Sequence, residues 1–146
     1  MQHFLKVYEF AKLIGESEEL EPEKLHILRT AAIVHDIGIK ISEKKYGSSG
    51  GKYQEKEGPA VAEPMLRALR YNEAVIDRVL FLIAHHHTYT GIEGEDYQIL
   101  VEADFLVNLF EDGSGRETAE KVRENIFKTK TGMKYLETLF LTERRS

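Results

Sequence analysis

The stretch LHILRTAAIVHDIG, residues 25–38, carries a histidine and an aspartate side by side at the end of an otherwise apolar segment. Residues spaced three and four apart share one face of a helix. That spacing is found along the segment at Leu25, Leu28, Ala32 and His35. Together with Pro22 in the first turn and Gly38 after the last, it predicts a helix over residues 22–37 whose inward face ends in the histidine and aspartate.

Helical spacing of apolar residues extends along almost the whole chain. It predicts further helices over residues 1–15, 57–70, 72–87, 96–111, 116–128 and 132–142. Residues 41–54 (ISEKKYGSSGGKYQ) show no period and contain three glycines, which favours a loop. No segment reads convincingly as a strand, so the sequence predicts one all-α domain over residues 1–146.

Composition narrows the classes of function. The 146 residues carry a net charge of −5, which argues against a general nucleic-acid or membrane-surface binder. Because there is no cysteine, any metal ion must be bound by His, Asp, Glu or water. No apolar run reaches the roughly 20 residues needed to span a bilayer. The N-terminal segment does not resemble a signal peptide, so we expect a cytoplasmic protein without a membrane partner.

Polar side chains occupy the inward faces of four predicted helices. They are His3, His35, Asp36, His85, His86 and Asp104. Each has an ordinary alternative explanation: a histidine satisfied within the core, an aspartate paired with a core cation, or a solvated helix end at residues 85–87. A buried unpaired carboxylate, however, costs several kcal/mol. Several imidazoles and two carboxylates facing one core together indicate a divalent metal ion with nitrogen and oxygen ligands.

The set His3 … His35-Asp36 … Asp104 resembles the signature of the HD-domain superfamily of metal-dependent phosphohydrolases. Residues 35–38 match its HDIG variant letter for letter, and the chain is similar to small stand-alone bacterial HD proteins. The resemblance implies an all-α bundle of about five core helices, with the metal-site core in residues 1–112 and a C-terminal helical extension in residues 113–146.

The resemblance also implies that the four signature residues bind one divalent ion per chain, which would be Mn, Fe, Co, Ni, Zn or Mg. Some branches of the superfamily bind a second metal through a His four residues before a helix-start glycine, and through a later His-His pair. Here Gly58 aligns with that glycine, Gln54 stands at the His position, and His85–His86 matches the pair. An amide is a weaker ligand than an imidazole. We therefore expect these residues, with Glu57, to bind a weaker second ion or to contact substrate.

The activity implied by the resemblance is phosphoester hydrolysis by a metal-activated water. Asp36 is predicted to orient or deprotonate this water. His85 or His86 is predicted to stabilise developing charge or to protonate the leaving group, because an imidazole titrates near neutrality. Gly38 is expected to let the chain leave the helix and make room for substrate.

The predicted loop after the HD helix carries groups that suit a phosphorylated substrate. Lysines attract phosphate, glycines allow close backbone approach, and tyrosines can stack on a base. The candidates are Lys45, Ser48, Ser49, Lys52 and Tyr53, with Lys52 the best single one. A mobile surface loop is the alternative. The predicted substrate is a nucleotide or another small phosphoester.

Three other functions stay open. One is a catalytically weak HD-fold module that senses a nucleotide or metal, which Gln54 slightly favours. Another is an oxidative di-iron branch, against which Gln54 counts because that site needs the full ligand set. The third is a purely structural helical protein that binds no metal. In residues 132–142, helical spacing of apolar residues is more typical of a packing helix, although an exposed apolar face there would support a homodimer.

Overall fold

The computed structural model describes residues 2–48 and 50–142, which form eight α-helices followed by one turn of π-helix. The elements in chain order are α1 (His3–Ser17), α2 (Pro22–Val34), α3 (Ile39–Tyr46), α4 (Gly51–Ala68), α5 (Glu73–His85), α6 (Glu95–Glu111), α7 (Arg116–Asn125), α8 (Lys130–Leu136) and the π turn (Glu137–Leu141). Within these residues there is no strand, and the predicted all-α bundle is confirmed.

Helix α6 lies at the centre of the bundle. Most of its side chains are buried, and it packs against α1 and α2, while α5 packs against α2 and α4. The apolar core includes Val7, Leu28, Val79 and Leu100, none of which is exposed to solvent. Full burial of one such side chain stabilises the fold by about 1.5–3 kcal/mol. This packing brings the start of α1, the end of α2, the end of α5 and the middle of α6 to one region.

Helix α1 extends beyond the end predicted for it. The helix predicted over residues 1–15 was expected to end at Gly15, the last residue of that range, but α1 continues to Ser17. Gly15 is buried where α2 crosses, and a Cβ atom there would lie 2.8 Å from Cδ1 of Leu25. The glycine therefore serves close packing between two helices and not helix termination.

The prediction of a loop over residues 41–54 is wrong. Helix α3 occupies residues up to Tyr46, and α4 begins at Gly51, well before the predicted start at residue 57. Gly47 ends α3 with a φ of 67°, a left-handed conformation that favours glycine. The error has a physical reason: α3 has only eight residues and the first two turns of α4 are polar, so neither shows an apolar stripe.

The C-terminal helices are attached to the bundle by two carboxylates. Glu102 of α6 is fully buried, and it accepts hydrogen bonds from the Thr129 hydroxyl and from backbone N–H groups of Lys128 and Thr129. Glu18 accepts hydrogen bonds from the backbone N–H and the hydroxyl of Thr131.

The predicted homodimer depends on an exposed apolar face in residues 132–142. Leu139 in the π turn is 54% exposed. The homodimer stays a prediction.

In the described part of the chain, no helix is both long and apolar enough to cross a membrane.

Candidate metal centre

Four side chains from three parts of the chain converge on one point. His3 begins α1, His35 and Asp36 directly follow α2, and Asp104 lies within α6. Nε2 of His3 lies 3.2 Å from Oδ2 of Asp36 and 3.1 Å from Oδ1 of Asp104. Nε2 of His35 lies 3.3 Å and 3.5 Å from the same two oxygens. The structure thus brings together the four residues of the sequence signature.

The ring of His35 is fixed so that Nε2 faces the two carboxylates. Its Nδ1 donates a hydrogen bond of 2.6 Å to the carbonyl oxygen of Ala32. Since Nδ1 carries the proton of that bond, Nε2 of the neutral ring presents a lone pair. This buried Nε2 has no hydrogen-bond partner among the described residues. A lone pair buried against two carboxylates requires a cation between them, so the residues fit a divalent metal ion.

Without a metal ion, protons supply the positive charge of this cluster. The hydrogen bond to Asp104 is the main reason why the pKa of His3 is raised to about 9. Burial lowers the pKa of His35, but the carboxylates of Asp104 and Asp36 outweigh burial and the pKa is raised. Burial alone would raise the pKa of Asp104, yet the two imidazoles hold it well below its usual range. A divalent ion would displace these protons on binding.

A second group of possible ligands consists of Asp36, His86 and His87. His86 donates from Nδ1 to the carbonyl oxygen of Ile83, and its buried Nε2 has no hydrogen-bond partner in the described chain. Burial is the main reason why the pKa of His86 falls to about 3, with the nearby charge of His35 acting in the same direction. The ring is therefore neutral near pH 7, which suits a metal ligand and does not suit a proton donor to a leaving group.

His85 does not belong to this group. Its ring stacks on Phe81 with 4.2 Å between the ring centroids, and its Nδ1 donates to the carbonyl oxygen of Phe81. Helix α5 ends at His85, so His86 and His87 lie in the turn that follows. The histidine pair that faces Asp36 is therefore His86–His87 and not His85–His86, and the geometry does not support the catalytic and ligand roles predicted for His85.

Helix α4 holds His87 in place through its first turns. Oε1 of Gln54 lies 3.2 Å from Nε2 of His87. Glu55 accepts hydrogen bonds from the backbone N–H of His87 and from the hydroxyl of Thr88. Gly51 lies against the same side chain, since a Cβ atom there would be 2.8 Å from Cβ of His87. The predicted residue Gln54 thus lies at the second group, where it faces the imidazole of His87.

A cavity of about 260 Å³ opens beside the two groups. It is lined by His3, Asp36, Ile39, Gln54, His87, Asp104 and Asn108. The sequence did not predict Ile39 or Asn108 as site residues. Asn108 lies four residues after Asp104 on the same face of α6, and this spacing could have found it. The volume is below the usual range of about 300–1,000 Å³ for ligand pockets, so the cavity suits a phosphoryl group with part of what it carries.

The predicted substrate residue Lys45 is engaged elsewhere. Its Nζ lies 3.1 Å from Oε1 of Glu57, and the hydroxyl of Tyr46 donates to Oε2 of the same carboxylate. The hydrogen bonds from Tyr46 and Lys45 lower the pKa of Glu57. Residues 41–46 lie in helix α3, and from there Lys45 pairs with Glu57. Neither residue lines the cavity.

The remaining substrate candidates that the structure describes also lie outside the cavity lining. Lys52 is exposed in the first turn of α4, and Tyr53 stacks on Tyr46 with 4.2 Å between the ring centroids. The hydroxyl of Ser48 accepts a backbone hydrogen bond within the short connection. Ser49 lies outside the described residues. A substrate contact from this segment stays a prediction.

The sequence profile of the HD domain matches residues 1–126, which is most of the chain. The chain belongs to the HD-domain family. Its fold is similar to the crystal structure of a predicted HD superfamily hydrolase from an uncultured Thermotogales bacterium, with a TM-score of 0.65. The two sequences are 26% identical, and the match covers 93% of this chain and 70% of that one. No curated protein matches the chain.

Within this HD domain, the glycine of the HDIG run has a role that the sequence did not predict. Gly38 has a φ of −83°, a conformation open to any residue, so the exit of the chain from the helix does not itself require a glycine. A Cβ atom at Gly38 would lie 2.8 Å from the backbone nitrogen of Gly58 and 3.1 Å from the carbonyl oxygen of Gln54. The glycine therefore allows α4 to approach the HD turn closely enough to bring Gln54 to the cavity.

Proposed function

We propose that this HD domain is a metal-dependent phosphohydrolase that acts on a nucleotide or another small phosphoester. The carrying observation is the convergence of His3, His35, Asp36 and Asp104 around a buried imidazole nitrogen that has no hydrogen-bond partner among the described residues. Mixed nitrogen and oxygen ligands beside an open cavity are typical of catalytic metal sites, whereas structural sites are closed. The hydrolase name of the similar Thermotogales protein agrees with this proposal.

The metal site that we propose binds one divalent ion through those four residues. Manganese, iron, cobalt, nickel, zinc and magnesium are all compatible with imidazole and carboxylate ligands. Such an ion would lower the pKa of a water and polarise a phosphoryl oxygen. The proposed role of the protein is to orient the water and the substrate and to accept the proton that the water loses.

Asp36 is the proposed acceptor of the water's proton. Its side chain is 21% exposed and borders the cavity, whereas that of Asp104 is only 5% exposed. One oxygen of Asp36 faces His3 and His35, which leaves the other oxygen towards the cavity side and His86. A carboxylate with one such oxygen can accept a hydrogen bond from an attacking water and so orient it.

The lining of the cavity limits how the substrate's charge is bound. Among the described lining residues there is no lysine or arginine. The phosphoryl group would therefore be held by the metal ion and by the amide of Asn108. In this small cavity, the larger part of a nucleotide would extend to the surface. This geometry supports small phosphoesters as a class of substrate and does not favour one particular nucleotide base.

A catalytically weak sensing module is the second candidate. The contact between Gln54 and His87 favours it, because the second group has an amide where a stronger imidazole ligand would be needed. In that case a metal ion or nucleotide would bind with little turnover.

The test measures metal content and phosphate release on the same purified protein. The substrates would be nucleoside mono-, di- and triphosphates, cyclic nucleotides and p-nitrophenyl phosphate. Asp36→Ala is compared with Asp77→Ala, a matched control whose side chain is exposed on α5. We expect about one ion per chain. We also expect phosphate release to fall roughly 100-fold or more in Asp36→Ala and to be unchanged in Asp77→Ala.

Bound metal without turnover on any substrate of the panel would favour the sensing module. A protein that takes up no divalent ion after reconstitution would contradict both candidate functions.

A further inference from the structure

We propose that Glu111 is a positioning residue, which holds His3 in the orientation of a metal ligand by a carboxylate–imidazole hydrogen bond. Nδ1 of His3 donates to Oε1 of Glu111 over 2.7 Å, the shortest polar contact of this ring. Nε2 of the same ring faces Asp36 and Asp104. The inference rests on the metal site proposed above, since it assigns a role to a neighbour of one of its ligands.

Two other imidazoles of the centre, those of His35 and His86, are oriented in a different way. His35 and His86 each donate from Nδ1 to the carbonyl oxygen of the residue three positions earlier. Their own local backbone therefore fixes these two rings. His3 is the first residue of α1, so no preceding helical turn lies beside its ring. Its partner comes instead from Glu111, 108 positions later in the chain.

Helix α6 contacts both nitrogens of the His3 ring. Asp104 reaches Nε2 and Glu111 reaches Nδ1. These two residues are seven apart on α6, which is about two turns, so both project from the same side of one rigid helix. The ring is thereby held between two carboxylates of a single element. A carboxylate on the distal nitrogen of a ligating histidine fixes the tautomer and increases the basicity of the ligating nitrogen.

Glu111 is itself held in place by a second cation. Its other oxygen, Oε2, accepts a hydrogen bond of 3.2 Å from Nζ of Lys6, which lies one turn after His3 on α1. The ammonium group also lies over the ring of Phe110, 5.7 Å from its centroid. Each oxygen of Glu111 therefore has one partner on α1. Glu111 does not line the cavity, so it acts on the site only through His3.

The experiment uses Zn²⁺ as a diamagnetic probe on the full chain. Zinc affinity is measured by competition with a chelator at one fixed pH for wild type, Glu111→Ala and Glu111→Gln. Asp112→Ala is the matched control, since this neighbouring carboxylate is exposed. We expect Glu111→Ala to weaken zinc binding about tenfold or more. Glu111→Gln should have an intermediate effect because its amide oxygen still accepts from Nδ1, and Asp112→Ala should stay within about twofold.

A spectroscopic measurement separates positioning from a general loss of stability. In zinc-loaded wild type labelled with ¹⁵N-histidine, we expect His3 to coordinate through Nε2 and to retain a slowly exchanging Nδ1–H proton. Glu111→Ala should lose this proton signal, while the corresponding signals of His35 and His86 stay unchanged. Glu111→Gln is nearly the same size as glutamate, so it serves both measurements if the alanine variant does not fold.

Unchanged zinc affinity and an unchanged His3 signal in the Glu111 variants would overturn this inference and leave the proposed metal site intact. If the wild-type protein itself bound no zinc, both the metal site and the positioning role of Glu111 would be overturned.

Discussion

Oδ1 of Asp36 lies 3.9 Å from Nε2 of His86, on the opposite side of the carboxylate from the contacts made by Oδ2. The aspartate of the HD pair thus borders both groups of possible metal ligands. Because a single side chain connects the two groups, residues of the second group should influence chemistry at the first even when only one ion is bound.

Replacement of His86 should therefore be far more harmful than replacement of its neighbour His85. We expect His86→Ala to lower phosphate release by about 10–100-fold, because it removes a buried imidazole beside Asp36. His85→Ala should cost only its stacking on Phe81 and its hydrogen bond to the Phe81 carbonyl, each worth about 0.5–1.5 kcal/mol of stability. Initial rates at equal metal loading distinguish the two variants, and a larger loss of rate in His85→Ala would contradict the placement of the histidine pair.

Gln54→His should strengthen the second group of ligands. An imidazole at this position would lie beside His87 and is a better donor than an amide. We expect bound metal to rise from about one ion per chain towards two, as measured by elemental analysis after equilibrium dialysis. Gln54→Asn is the control, since it keeps an amide and should leave the stoichiometry unchanged. A second ion already present in the wild type would refute the weak-ligand argument.

Gly38→Ala should destabilise the fold, because its methyl group would meet the backbone of Gly58 and Gln54 at 2.8–3.1 Å. The expected loss in the free energy of unfolding is about 1–3 kcal/mol, the usual range for overpacking. Gly115→Ala is the matched control, since a Cβ atom there would have no neighbour within 4 Å in the described chain. Urea unfolding measures both variants, and equal stability of the two would show that α4 can move away without cost.

The stability of the metal-free protein should fall as the pH rises from 6.5 to 9. His3 has a pKa of about 9 in the folded protein against an ordinary value of 6.5, so the folded state holds its proton more tightly. The resulting stabilisation is complete below pH 6.5 and is lost as the pH rises through 9. Thermal melts in EDTA at several pH values test this, and saturating zinc should remove the effect because the ion replaces the proton. Melting temperatures that increase with pH in EDTA would contradict it.

The helical period predicted the relative positions of the signature residues well, because three of them are attached to regular helices. His3 and Asp104 lie within α1 and α6, and His35 follows α2 without a change of direction. The same reasoning failed at the later histidines. Helix α5 ends at His85, and the period of 3.6 residues no longer applies in the turn that contains His86 and His87.

The candidate substrate residues were chosen from residues 41–54 on the expectation that this segment is a loop. Most of the segment is helical instead. Lys45 lies in α3 and Lys52 in α4, so the four-residue connection between these helices is too short to cover the cavity as a lid. Glu111 could be placed only once the distance between α1 and α6 was known. It is an ordinary polar residue at the end of a helix, and its importance comes from a contact with a distant part of the chain.

The contact between His3 and Asp104 joins residues that are 101 positions apart. A chain still emerging from the ribosome therefore carries His3, His35 and Asp36 long before the last residue of the set is available. The centre can be completed only after α6 has left the ribosomal tunnel and docked on α1 and α2. Uptake of the ion would thus be a late event in biosynthesis, and a bound ion would mark a chain whose bundle has already closed.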